Sequence, residues 1–166
     1  MSSIVVYFSH SGNTRSWAEK TASLLGSDLT EIRPRTLFPD DPGELERIIV
    51  NRKEKGQIAP VYPPDSMIDG YGVIILAFPI WMSAAPEEVR TYLSDIDWRG
   101  RKVYILATYS GAVGDYITGI KELCDGASFG RSCAVRTGCP GDSALARNDM
   151  KRYEEWIGEI KRFPGI

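Results

Sequence analysis

Cysteine is scarce: Cys124, Cys133 and Cys139 are the three in the chain, no two form a Cys-x-x-Cys pair, and any pairing leaves an odd thiol. Neither a disulfide framework nor a cysteine zinc site is indicated. Histidine is scarcer still, with His10 alone, so a metal centre built from imidazoles is not expected. Long hydrophobic runs are missing as well. The most apolar stretch, Val73-Ile74-Ile75-Leu76-Ala77-Phe78, is far shorter than the roughly 20 residues a membrane helix needs, and no charged leader precedes the first strand-like segment. No membrane span and no signal peptide are expected, and the cytoplasm is the expected location. Nor is one sign of charge in excess: 20 Lys and Arg face 22 Asp and Glu, a net charge of -2. Without a basic surplus to displace counterions, no nucleic-acid partner is expected. The pattern Gly-x-x-x-x-Gly-Lys-Ser/Thr is absent too, which disfavours a nucleoside-triphosphate loop.

What is present is an ordinary globular composition, 43% hydrophobic and 25% charged over 166 residues, enough for one domain, residues 1–166, with its own core. The chain is organised around Ile4-Val5-Val6-Tyr7-Phe8 followed at once by Ser9-His10-Ser11-Gly12-Asn13-Thr14. So short an apolar run suits a strand buried on both faces. If a helix starts near Asn13, its first N–H groups and the positive end of its dipole face the loop. Gly12 permits close backbone approach and positive φ, and Ser9, Ser11, Asn13 and Thr14 offer side-chain donors. No Lys or Arg lies in the loop, which favours a phosphate monoester held by neutral donors. On the loop alone, a phosphate cradle and a plain helix-capping turn are both open.

Strand and helix patterns then alternate. A helix over Arg15 to Leu25 carries Trp17, Ala18, Thr21, Ala22, Leu24 and Leu25 on or near one face, with Gly26 as its cap. Leu29 to Arg33 reads as a second strand, stopped by Pro34. Asp41-Pro42-Gly43-Glu44 opens a helix ending near Gly56, with Leu45, Ile48 and Ile49 inward. The run Ala59-Pro60-Val61-Tyr62-Pro63-Pro64 is an extended surface connection. Val73 to Phe78 is the central strand, ended by Pro79. Pro86, Glu87 and Glu88 start a helix that buries Val89, Tyr92, Leu93 and Ile96. Val103 to Ala107 is the fourth strand. Asp115 caps a helix burying Ile117, Ile120 and Leu123, and Cys133 to Arg136 is the last strand. Asp142 or Ser143 opens a final helix with Leu145, Ala146, Met150, Tyr153, Trp156, Ile157 and Ile160 at helical spacing. The alternation predicts an α/β fold, a parallel sheet covered on both faces.

In open sheets of this kind ligands bind beyond the carboxyl ends of the strands. The loops there are Ser9 to Thr14, Pro79-Ile80-Trp81-Met82-Ser83 and Thr108 to Gly114. The first suits phosphate, the second offers a flat aromatic and a thioether, and the third has small residues that let a planar ligand approach. Phosphate at one end and a flat ring at the other describes FMN.

These residues carry a resemblance. Ser9-His10-Ser11-Gly12-Asn13-Thr14 resembles the flavodoxin phosphate loop, Thr/Ser-x-Thr/Ser-Gly-Asn-Thr. Pro79-Ile80-Trp81 with Ala85-Pro86-Glu87-Glu88-Val89-Arg90 resembles the Pro-Ile-Trp-Trp and Ala-Pro-x-x-Val-Arg segments of short flavodoxin-like proteins. The likeness runs from Ile4 to about Gly114. It implies a three-layer α/β/α sandwich with five parallel strands in the order 2-1-3-4-5. It assigns Ser9, His10, Ser11, Gly12, Asn13 and Thr14 to the FMN phosphate. Pro79, Ile80, Trp81 and Met82 fall to the flavin ring, with Thr108, Tyr109, Ser110 and Gly111 on the ring's other side. Two departures stand out: Met82 replaces a second Trp, and Tyr109 and Ala112 interrupt a loop usually rich in Gly and Ser.

The implied function is low-potential electron transfer, with redox partner proteins or NAD(P)H as partners. An NAD(P)H-dependent reductase of a quinone-like acceptor and a flavin-free binding domain are the alternatives. No catalytic side chain is expected, since the flavin carries the chemistry. Trp17, Trp98 and Trp156 read as packing residues. Cys124 and Arg131 miss the Cys-x5-Arg phosphatase spacing by one residue, and no acidic pair flanks strand 1 to hold a receiver-domain metal. All three cysteines read as structural.

Overall fold

The computed structural model describes residues 2–63, 68–138 and 143–164. Five strands, β1 (Ser3–Tyr7), β2 (Asp28–Glu31), β3 (Val73–Pro79), β4 (Lys102–Tyr109) and β5 (Ser128–Arg136), form one all-parallel sheet in the order 2-1-3-4-5. Between and after them run α1 (Asn13–Leu25), α2 (Pro42–Lys55), α3 (Glu87–Ser94), α4 (Thr118–Leu123) and α5 (Ala144–Lys161), with a short 3-10 turn at Ile68–Gly70. The three central strands are buried on both sides because right-handed crossovers place helices over both faces. Ile4, Ile74 and Val103 share a register position, and so do Val6, Leu76 and Ile105.

Alternation along the strands divides the core in two. Ile4, Val6, Phe8, Ile74, Leu76, Phe78 and Ile105 pack with Val89, Tyr92 and Leu93 of α3 and Ile120 of α4. Val5, Tyr7, Ile75, Ala77, Leu106 and Val135 pack with α1 and α5, through Ala18, Ala22, Tyr153, Trp156 and Ile160. Trp98 and Trp156 are buried, and their indole N–H groups donate to Leu93 O (3.1 Å) and Arg131 O (2.7 Å). Trp17 lies half-buried, its ring 4.8 Å from that of Tyr153.

Several sequence expectations change. Leu45, Ile48 and Ile49 are half-buried and not part of the core: α2 buries no residue, and its first turns, through Pro42 and Leu45, border a cleft. Leu24 and Leu145 are 43% and 55% exposed. Leu24 falls about 100° around α1 from Leu25 and off the stripe of Thr14, Ala18, Thr21, Ala22 and Leu25, and Leu145 lies in the first turn of α5 at a surface cleft. Tyr116 is buried, whereas Ile117 and Leu123 are half-buried. Strand β5 begins five residues before Cys133, hidden in the sequence by Ser128 and Gly130. Gly130 is required there, since a Cβ would lie 2.0 Å from Cε1 of Tyr104. The extended run after Gly56 is tied down: Val61 pairs with Pro34, and Ala59 is fully buried. Ser143 caps α5, accepting from Ala146 N at 3.1 Å. Pro64, Cys139 and Asp142 lie outside the described residues.

Candidate functional site

A cleft of about 380 Å³ opens at the carboxyl ends of β1, β3 and β4. Its floor is the start of α1. Gly12 holds φ +90 there, its N–H donates to Ser9 Oγ at 3.1 Å, and Asn13 Nδ2 donates to Ser11 Oγ at 3.1 Å. The first turn of α1 has no side-chain cap and no acidic residue, and the N–H groups of Asn13, Thr14 and Arg15 have no acceptor among the described residues. The other helices differ. Asp41 caps α2, Ser143 caps α5, Asp115 accepts from Ile117 N and Thr118 N at the head of α4, and Glu87 and Glu88 begin α3. Among the described helices, α1 thus meets its cleft with neither a side-chain acceptor nor an acidic residue in its first turn.

Of the residues predicted from sequence, His10, Ser11, Asn13, Thr14, Pro79, Ile80, Trp81, Thr108, Tyr109 and Ser110 line this cleft. Met82 and Gly111 line an adjoining recess of about 350 Å³ that shares Ile80, Trp81 and Ser110 with it. Ser9 and Gly12 line neither and act by shaping the loop. Thr14 has a second task. Its hydroxyl lies 2.7 Å from that of Thr108, both side chains buried, so the loop Ser9 to Thr14 and the end of β4 are joined across the cleft floor. One hydroxyl of the pair donates to the other, which keeps its own proton. Thr108 and Tyr109 belong to β4 itself and not to the loop after it.

Trp81 enters a four-residue turn closed by Trp81 N to Ala84 O (2.9 Å) and Ala84 N to Trp81 O (3.1 Å). Its central residues Met82 and Ser83 hold φ 49 and 63, an arrangement that usually calls for Asn or Gly. Gly114 is seated on that turn, since a Cβ there would lie 2.1 Å from Ser83 Cβ. The Trp81 ring is held edge-on by Phe8 (5.4 Å between centroids), Phe38 (5.5 Å) and His10 (6.2 Å). On the far wall the Arg136 guanidinium lies 5.1 Å over the Tyr109 ring. Arg136 borders a second cleft with Arg152, which pairs with Asp149.

Sequence reading missed Phe38, which sits in a proline-flanked loop with no periodicity, and the cleft residues Asp40, Pro42, Leu45, Thr137 and Gly138. The last two follow β5 and end at the same sheet edge, so that edge was the available signal. Cys124 and Cys133 are buried away from the cleft, and burial pushes their thiols up to about 12 and about 11. Neither is a nucleophile at neutral pH. Among the described residues no cluster of His, Cys, Asp and Glu is placed to hold a metal ion, and no helix is long and apolar enough to cross a membrane.

Comparison with known proteins now bears on this geometry. A family profile described as flavodoxin matches residues 2–152. The chain belongs to the flavodoxin family. Flavodoxins are FMN-binding proteins, and FMN is the cofactor that membership gives this chain. A Lactobacillus acidophilus flavoprotein, solved in complex with FMN, is similar with a TM-score of 0.72 at 21% identity, over 93% of this chain and 97% of that one. A WrbA-like flavodoxin from Agrobacterium tumefaciens gives 0.62 at 15% identity, over 97% of each chain. Oxidised flavodoxin 2 from Bacillus cereus gives 0.59 at 17%, over 96% of this chain and 99% of that one. At such identities these likenesses speak for the flavodoxin fold alone. A comparison with proteins of curated function returns no match.

Proposed function

We propose that this flavodoxin is an FMN-dependent electron carrier, its flavin phosphate on the loop Ser9 to Thr14 and its ring between Trp81 and Tyr109. One observation carries the reading: the uncapped, acid-free start of α1 lies on the floor of a cleft whose walls are aromatic. A phosphate there receives the N–H groups of the first turn and the favourable end of the dipole. Ser11, Asn13 and the spare proton of the Thr14–Thr108 pair supply neutral donors. Bound flavin supplies the redox chemistry, and the chain supplies binding, orientation and shielding from water. Trp81 gives a flat apolar face, and Tyr109, backed by Arg136, gives a second. Electrons would arrive from a redox partner protein, with a reductase fed directly by NAD(P)H as the competing role.

The test is direct. Purified protein is expected to be yellow, to release FMN on denaturation and to rebind it. A colourless preparation that takes up no added FMN would overturn the proposal. Anaerobic mixing with NAD(P)H then separates the two roles: bleaching only through an added flavodoxin reductase supports the carrier, and prompt bleaching by NAD(P)H alone supports the reductase.

A further inference from the structure

We infer that the largely buried ion pair between Arg52 and Glu88 is a latch that sets the orientation of Trp81, so that both are positioning residues for the flavin ring. The consequence at the ring rests on the FMN reading above; the latch itself does not. Glu88, in the first turn of α3, is 1% exposed, and Arg52 Nη1 donates to its Oε1 at 2.6 Å. Arg52 lies in the last turn of α2, a helix with no buried residue of its own. A pair removed so far from water is poor evidence for stability, because desolvation offsets most of the attraction and apolar replacements often serve as well. Its placement points elsewhere.

The same guanidinium lies 5.1 Å over the ring of Phe38. A planar guanidinium can hold a carboxylate in its plane and an aromatic ring on its face together, which a Lys ammonium cannot. Phe38 in turn meets Trp81 at 5.5 Å and an interplanar angle of 77°. The chain of contact is therefore Glu88 to Arg52 to Phe38 to Trp81, ending at the cleft wall. Packing alone leaves slack at that end. Trp81 also borders a small, partly open pocket of about 50 Å³ with Ile49, Arg52 and Met82, room that the indole can use to tilt. Holding Phe38 against Trp81 removes that freedom before the ligand arrives, which is the preorganisation a ring-binding wall needs.

Charge adds a signature that a purely mechanical brace would lack. With both partners present the pair is neutral. Glu88→Gln leaves a largely buried cation on the Phe38 side of Trp81 and should raise the flavin midpoint potential above that of the neutral double variant Arg52→Met/Glu88→Met.

The experiment uses protein labelled with 5-fluorotryptophan, with the Trp81 resonance assigned from Trp81→Phe. Arg52→Met, Glu88→Gln and the double variant Arg52→Met/Glu88→Met are compared with the parent, without and with FMN. The expected result is a shifted or broadened Trp81 resonance in all three, with the Trp17, Trp98 and Trp156 resonances in place. FMN dissociation constants should rise about tenfold, and the potential of Glu88→Gln should lie above that of the double variant. Folded variants that leave the Trp81 resonance and FMN affinity unchanged would overturn the latch. Should Arg52→Met not fold, the double variant tests the latch in its place, since it buries no unpaired charge. If the parent takes up no FMN, the functional proposal fails while the Trp81 resonance of the unloaded protein still decides the latch.

Discussion

Helices α1 and α2 are nearly equal in length, 13 and 14 residues, and are specified in opposite ways. Helix α2 is complete as a local object. Asp41 accepts from Glu44 N at 2.8 Å, Pro42 opens the first turn, Arg52, Lys53 and Lys55 answer the dipole in the last, and Gly56 closes it in the left-handed region. Yet it buries nothing. Helix α1 has no side-chain cap and no charge matched to its dipole at either end, but it buries Thr14, Ala18, Thr21, Ala22 and Leu25. Tertiary packing holds α1, and its open N-terminus is a group of donors that the fold has left for something else. On the proposed reading, these are the donors that the flavin phosphate takes.

The contrast is most sharply tested in the core. Leu25→Ala is expected to cost about 2–4 kcal/mol, from lost transfer energy and the cavity left behind, whereas Ile48→Ala, on a half-buried site, should cost less than about 1.5 kcal/mol. Urea midpoints of the unloaded variants give both numbers. Equal losses would mean that α2 is held by packing after all.

The next effect is smaller and has two signs. Asn13→Asp places a carboxylate in the open first turn of α1. The unloaded protein should gain about 0.3–1 kcal/mol from the dipole, while FMN binding weakens by roughly ten- to a hundredfold as the carboxylate repels the phosphate. Titration with FMN alongside a urea curve separates the two. A variant that loses stability and affinity together would show that Asn13 matters to the loop and not to an anion above it.

How much of this was legible in the sequence follows from the range of each interaction. The alternation of strands and helices was, because buried parallel strands and capped helices announce themselves within ten residues. Trp81 was, because a strand-ending Pro79 put it at the ligand edge. Phe38 was not: it stands between Leu37 and Pro39 in an aperiodic loop, and its partners Phe8 and Trp81 are distant in sequence. The Thr14–Thr108 bond spans 94 residues, and no local pattern encodes such a pair. The inward face assigned to α2 failed for a third reason. Periodicity shows that a helix has an apolar side, but not whether that side meets the sheet or, as with Pro42 and Leu45, borders a cleft.

The smallest effect asks where α2 is held. Asp41→Ala removes a cap worth about 1 kcal/mol. In a helix that buries nothing, opening of the first turns is a local event, and its free energy need not appear in the global transition. Amide exchange should therefore quicken about fivefold, the factor that 1 kcal/mol represents, at residues 45–48, with the urea midpoint almost unmoved. Toward Arg52 the effect should fade, because the ion pair to Glu88 holds the last turn whether or not the first is capped. Uniform acceleration through Lys55 would mean that α2 opens as one unit and that its cap, and not the pair at its far end, keeps it on the wall of the cleft.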